Sequence, residues 1–262
     1  MNVTTSSDGT RIAYDRTGVG PALVVVNGAL GDRTATAALA EALAPKLTVF
    51  SYDRRGRGDS GDTQPYAVER EIENLEAMIA TAGGEAFVFG HSSGAALALE
   101  AAVRGLAITK LALYEPPYIV DDSRTPLPDD YIPTLQALVD DGRPGDALEY
   151  FWRVALQMPP DVIAQMRGAP WWPGMEALGH TLPYDNLIVD GHMDGKPLPD
   201  EWANQVTIPT LVIDGGASPD SMRNAVAAVA ALLPRAERLT LEGQGHGAPT
   251  EVLAPVLEAF FL

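Results

Sequence analysis

A series of short apolar runs, each followed by a stretch of helical composition, constrains this chain more than any other feature. "ALVVVN" (Ala22 to Asn27), "LTVFSYD", "AFVFG", "ITKLALY" and "IPTLVIDGG" are continuous rather than alternating, as strands buried on both faces must be. Between them fall "TATAALAEALAPK", ended by Pro45, then "YAVEREIENLEAMIATAGG", "SGAALALEAAV" and "SPDSMRNAVAAVAALLP". Their glycine and proline stops read as helix ends. "AERLTLEG" and "PTEVLAPVLEAFF" close the series, and "VTTSSDGTRIAYDRTG" opens it as a hairpin turned at Asp8-Gly9. This order predicts an α/β chain, a parallel sheet wound with helices on both faces. In such sheets the ligand crevice lies beyond the carboxyl ends of the strands.

One long interruption breaks the alternation, from about Pro117 to Gln205. The expected organisation is therefore a core domain of residues 1–116 and 206–262 with residues 117–205 inserted as a lid. All four tryptophans and four of the seven methionines lie in that insertion, and such side chains suit an apolar pocket wall. Trp171, Trp172, Trp152 and Met158 are the expected pocket residues; the plainer reading has them pack the segment onto the sheet.

Composition narrows the function classes. With a net charge of −17 the chain is a poor partner for nucleic-acid phosphates or an anionic membrane surface. The insertion contributes −10 of that, from fifteen Asp and Glu against five Lys and Arg. A lid so acidic predicts a neutral or cationic, hydrophobic small-molecule substrate. No cysteine is present, which removes disulfides, thiolate nucleophiles and cysteine-based zinc sites together. The start "MNVTTSSDGT" lacks the basic and apolar regions of a signal peptide, so a cytoplasmic location is the expectation.

The turn "VFGHSSGAALALEAA" carries the chemistry. A sharp strand-to-helix corner lifts a hydroxyl above the sheet, glycines two residues either side relieve crowding, and the new helix offers free N–H groups to an oxyanion. The spacing Gly90-His91-Ser92-Ser93-Gly94 centres on Ser92 as nucleophile. Ser93 then supplies a backbone N–H. The plain alternative is an inert glycine-rich corner.

Together with "NGAL", "YDRRGRGDS" and "GQGHG", this elbow resembles the α/β-hydrolase family over nearly the whole chain. The resemblance implies an eight-stranded, mostly parallel sheet, a helical cap after the sixth strand, and a Ser-acid-His triad. No metal or organic cofactor is implied. His246, in "EGQGHGAP" after the last strand, is the implied base, since His91 sits inside the elbow and His180 and His192 lie in the insertion.

The acid departs from the commonest family pattern, which puts Asp shortly after the seventh strand. Ser218 stands there, and Ser-Pro reads instead as a helix N-cap and first helical residue. Glu115, at the tip of "LALYEPP", is the preferred acid, as in haloalkane dehalogenases and zearalenone lactonases; Asp214 and Asp220 stay open as alternatives. The backbone N–H groups of Ala29 and Ser93 are the expected oxyanion hole. "YDRRGRGDS" reads as a structural loop whose arginines and acids pair.

The implied activity is hydrolysis of an ester or lactone through an acyl-Ser92 intermediate. Serine at the elbow argues against epoxide hydrolase and dehalogenase chemistry, which need Asp there. A C–C hydrolase, a cofactor-free haloperoxidase and a slow-turnover ligand sensor are the alternatives the same triad allows.

Overall fold

The computed structural model describes residues 1–262. The opening hairpin is β1 (Asn2–Thr5) and β2 (Arg11–Gly18), with Asn2 opposite Tyr14. β2 then lies antiparallel to β4 (Thr48–Tyr52). From there the sheet is parallel: β3 (Ala22–Val26), β4, β5 (Ala86–His91), β6 (Ile108–Tyr114), β7 (Thr210–Gly215) and β8 (Ala236–Leu241). The eight strands run in the order β1-β2-β4-β3-β5-β6-β7-β8.

The continuous apolar runs explain themselves once the faces are separated. Along β3, Leu23 and Val25 point to one side and Val24 and Val26 to the other, and each set joins a different core. Strand side chains alternate with period two, so a strand covered on both sides needs apolar residues at every position. On the Leu23 side lie α1 (Ala37–Leu43) and α11 (Thr250–Phe261), through Leu39, Leu43, Leu257 and Phe261. On the Val24 side lie α2 (Val68–Ala82), α3 (Ser93–Val103) and α10 (Asp220–Leu232). α3 is buried almost all round, which its run of alanines and leucines permits.

Between β6 and β7 the chain forms α4 (Tyr131–Asp140), α5 (Pro144–Val154), α6 (Pro160–Arg167), α7 (Trp172–Leu178), α8 (Leu182–Ile188) and α9 (Trp202–Gln205). Much of this layer gathers around its own small core of Tyr131, Leu135, Leu148, Trp152, Ile163, Trp172 and Leu182, which Leu30 of the main domain joins. No helix is long and apolar enough to cross a membrane.

Candidate active site

The Ser92 backbone has φ 56° and ψ −126°, a conformation that costs a non-glycine residue roughly 1–3 kcal/mol and persists only where its surroundings enforce it. Its N–H still donates to the Tyr114 carbonyl at 2.9 Å, while its own carbonyl accepts from Ala95 and Ala96 in α3. The chain thus leaves the sheet and enters the helix within one residue. A Cβ at Gly90 would lie 2.6 Å from the Ala95 Cα, and one at Gly94 would run into the carbonyls of Val26 and Asn27. Both glycines are therefore demanded by the close approach of α3 to β3 and β5.

Glu115, the residue after β6, also has positive φ, 48°. Its fully buried carboxylate accepts the Gly215 N–H at 2.8 Å on Oε1, and Oε2 lies 2.6 Å from Nδ1 of His246. Burial pushes this carboxyl up, but its bonds to His246 and the Gly215 N–H, with the Ser218 hydroxyl nearby, outweigh that and hold it below the ordinary value. An ionised carboxylate only accepts. Nδ1 of His246 therefore carries a proton, and in the neutral ring the lone pair is on Nε2.

The loop bearing His246 is fixed by its neighbours. Tyr114 donates its hydroxyl to the Gly245 carbonyl at 2.5 Å, and Nε2 of His91 lies 2.7 Å from the His246 carbonyl. A carbonyl cannot donate, so His91 carries its proton on Nε2. Desolvation and the nearby His246 push the His91 imidazole down to about 4. It is a neutral brace.

The alternative acids lie elsewhere. Asp214 is fully buried but faces Arg238 at 3.0 Å, Thr240 at 3.0 Å and Arg223 at 3.4 Å. Asp220 is exposed at the first turn of α10, where a negative charge suits the helix dipole. The expected N-cap role of Ser218 is corrected: α10 begins at Asp220 with Pro219 as its cap, and no side chain caps it. Ser218 is buried beside Glu115 instead.

Ala29 and Ser93 both border the cavity that also holds Ser92 and His246. Ser93 opens α3, so its N–H has no intrahelical acceptor. Ala29 is aimed by a residue behind it. Arg57, buried, donates through Nη1 to the Gly28 carbonyl at 2.7 Å. That carbonyl and the Ala29 N–H belong to one planar peptide and point in opposite directions. Holding the oxygen therefore orients the N–H.

The loop of "YDRRGRGDS" pairs as a structural loop should, but mostly with acids from outside itself. Arg54 makes a two-pronged contact with Glu71 of α2, at 2.6 and 2.8 Å, and meets Asp185 of α8 at 2.7 Å. Arg57 takes the other oxygen of Asp185 at 2.7 Å, and Arg55 pairs with Asp8. Arg33 closes on Asp53. Asp185 escaped the sequence reading, although a lone carboxylate inside "TLPYDNLIV" was a usable signal. Such a group, once buried, must find a cation.

The cavity encloses about 280 Å³. Tyr118, Phe151, Leu156, Val189, Met193 and Met222 give it apolar walls. The four expected lid residues are corrected here, since none of them borders it. Trp152 and Trp172 are buried in the core of the inserted layer, packed edge to face with ring centroids 5.5 Å apart. Met158 packs against that core, and Trp171 is 46% exposed. Large side chains were needed to hold a small helical layer together, and the pocket wall fell to their neighbours.

Comparison with known proteins agrees with this fold. Residues 23–258 match the family model described as the alpha/beta hydrolase family, and the chain belongs to that family. The crystal structure of an alpha/beta hydrolase from Sphaerobacter thermophilus DSM 20745 superposes with a TM-score of 0.92 at 55% identity, covering 100% of both chains. Two curated relatives match over shorter stretches. An uncharacterized hydrolase, YraK, of Bacillus subtilis (strain 168) is 35% identical over 39% of this chain and 40% of its own length. The N-formylmaleamate deformylase of Pseudomonas putida (strain KT2440) is 32% identical over 43% of this chain and 44% of its own. The chain thus aligns with less than half the length of either. Fold and family together place the chain among the alpha/beta hydrolases.

Proposed function

We propose that this chain hydrolyses a carboxylic ester or lactone through an acyl-enzyme on Ser92, under a cap formed by residues 117–205. Nε2 of His246 takes the Oγ proton as Oγ attacks the carbonyl carbon. The N–H groups of Ala29 and Ser93 receive the oxyanion, and Glu115 stabilises the imidazolium as it forms. His246 then returns the proton to the leaving oxygen, and water repeats the sequence on the acyl carbon. One observation carries the reading: Glu115 holds Nδ1 of His246 at 2.6 Å while His246 and Ser92 border the same cavity.

A panel of p-nitrophenyl esters and aryl lactones tests it. Many turnovers per protein, lost by several orders of magnitude in Ser92→Ala, support the hydrolase. A stoichiometric burst with a lasting adduct supports a ligand sensor instead. A fluorophosphonate probe should label Ser92; labelling at Ser93 overturns the assignment.

A further inference from the structure

Charge around the cavity is unevenly matched. The one carboxylate bordering it is Asp185, which faces Arg54 and Arg57, and Arg54 also faces Glu71. Two guanidiniums and two carboxylates cancel there. Arg124 borders the same cavity, from the segment leading out of β6 toward α4, and has no such partner. Its Nη1 donates to the Ala155 carbonyl at 2.9 Å and its Nε reaches the Thr125 carbonyl at 3.4 Å. Both acceptors are neutral. Burial draws the guanidinium below its ordinary value, and the only group opposing that shift is the Tyr131 phenol, not a carboxylate.

A half-buried cation amid Phe151, Leu156, Val189 and Met193 has lost water without gaining a counter-charge, an unfavourable state that a bound anion relieves. Guanidinium has the planar fork that fits a carboxylate through two parallel bonds. We propose that Arg124 binds a carboxylate on the substrate, so that the ester or lactone opened at Ser92 is a small anionic one. This rests on Ser92 being the acylated residue. It departs from the neutral or cationic substrate that the −10 charge of residues 117–205 suggests. Exposed surface charge is screened over about 8 Å at physiological ionic strength, whereas a cation inside the cavity acts at contact. At about 280 Å³ the space admits only a small molecule, near the lower end of the roughly 300–1,000 Å³ of ligand pockets.

The test uses two matched ester pairs, each a free carboxylate against its carboxamide. Mono-p-nitrophenyl glutarate and its glutaramate place the charge on the acyl side; para-(carboxymethyl)phenyl acetate and its amide place it on the leaving group. In at least one pair the anion should be favoured in kcat/KM by about tenfold or more. Arg124→Gln should lower that anion-to-amide ratio by about 10- to 100-fold, as for a lost hydrogen-bonded charge pair, with Arg124→Lys recovering part of it. Equal or better hydrolysis of both amides, or a ratio unmoved in Arg124→Gln, overturns the proposal. Glutarate binding to the Ser92→Ala protein, followed by calorimetry, separates the two readings. If no ester is cleaved but glutarate binds and weakens at least tenfold with Arg124→Gln added, the carboxylate site stands and the esterase reading falls. If esters are cleaved while neither ratio nor binding responds to Arg124, the carboxylate site falls alone. No response in any assay overturns both.

Discussion

Ser93 donates its hydroxyl to Asp185 at 2.7 Å, which joins the residue after Ser92 to the helical layer between β6 and β7. The same carboxylate receives Arg54 and Arg57. One side chain of α8 therefore touches the elbow helix and, through Arg57, the peptide that presents the Ala29 N–H.

Asp185→Asn leaves two buried guanidiniums short of charge. Breaking a buried pair in this way costs about 3–5 kcal/mol, so equilibrium denaturation should show a loss of that size. Because both proposed oxyanion donors lean on Asp185, kcat should fall as well at temperatures where the variant stays folded. A stable, fully active Asp185→Asn would contradict the coupling.

Arg57→Lys tests the aim of the Ala29 N–H. A lysine keeps the charge but cannot reach Asp185 and the Gly28 carbonyl with one planar fork. We expect kcat to drop by about tenfold with KM little changed, less than the 10²–10³-fold of deleting an oxyanion donor outright. An effect confined to KM would place Arg57 in substrate binding instead.

Glu115→Gln should lower kcat by about a hundredfold or more, because the amide keeps the shape but not the charge that stabilises the imidazolium. Asp214→Asn should cost stability through Arg238 and leave kcat far less affected. Reversal of these two effects, measured side by side on one aryl ester, would move the acid to β7.

The Glu115 carboxyl is held below its ordinary value in the folded protein. Its ionised form therefore adds stability that is fully present above the unfolded pKa of about 4.5 and is lost as pH falls through the lower folded value. Denaturation of the parent and of Glu115→Gln between about pH 6 and about pH 3 should give stabilities that converge at the acid end. Curves that stay parallel throughout would rule out an ionised, stabilised Glu115.

Much of this was legible in the chain. The strands and the helices between them followed from apolar runs, because a two-sided strand leaves no polar position to disguise it. The sharp corner at Ser92 was readable since Gly90 and Gly94 mark where α3 crowds the sheet, and the buried carboxylate at Glu115 since "LALYEPP" ends a strand on one. The pocket wall was not. Which aromatic faces the cavity depends on how α5, α7 and α8 pack on one another, and their sequences place Trp152 and Phe151 side by side without saying which turns inward. Asp185 was hidden for a related reason: its partners Arg54 and Arg57 lie more than a hundred residues earlier.

Placing the acid at Glu115 has an effect on the neighbouring strand. In the common arrangement the turn after β7 must present a carboxylate to the histidine, and its sequence is tied to that duty. With Glu115 proposed in that role, the turn after β7 carries no such duty, and Pro219, Ser221 and Met222 form part of the cavity boundary. On the proposed assignment, proton handling and substrate selection would reside on separate segments of the chain. Exchanging side chains at Ser221 or Met222 can alter which molecule is admitted while the Glu115–His246 pair stays untouched, which makes this turn the natural place for specificity to drift among relatives.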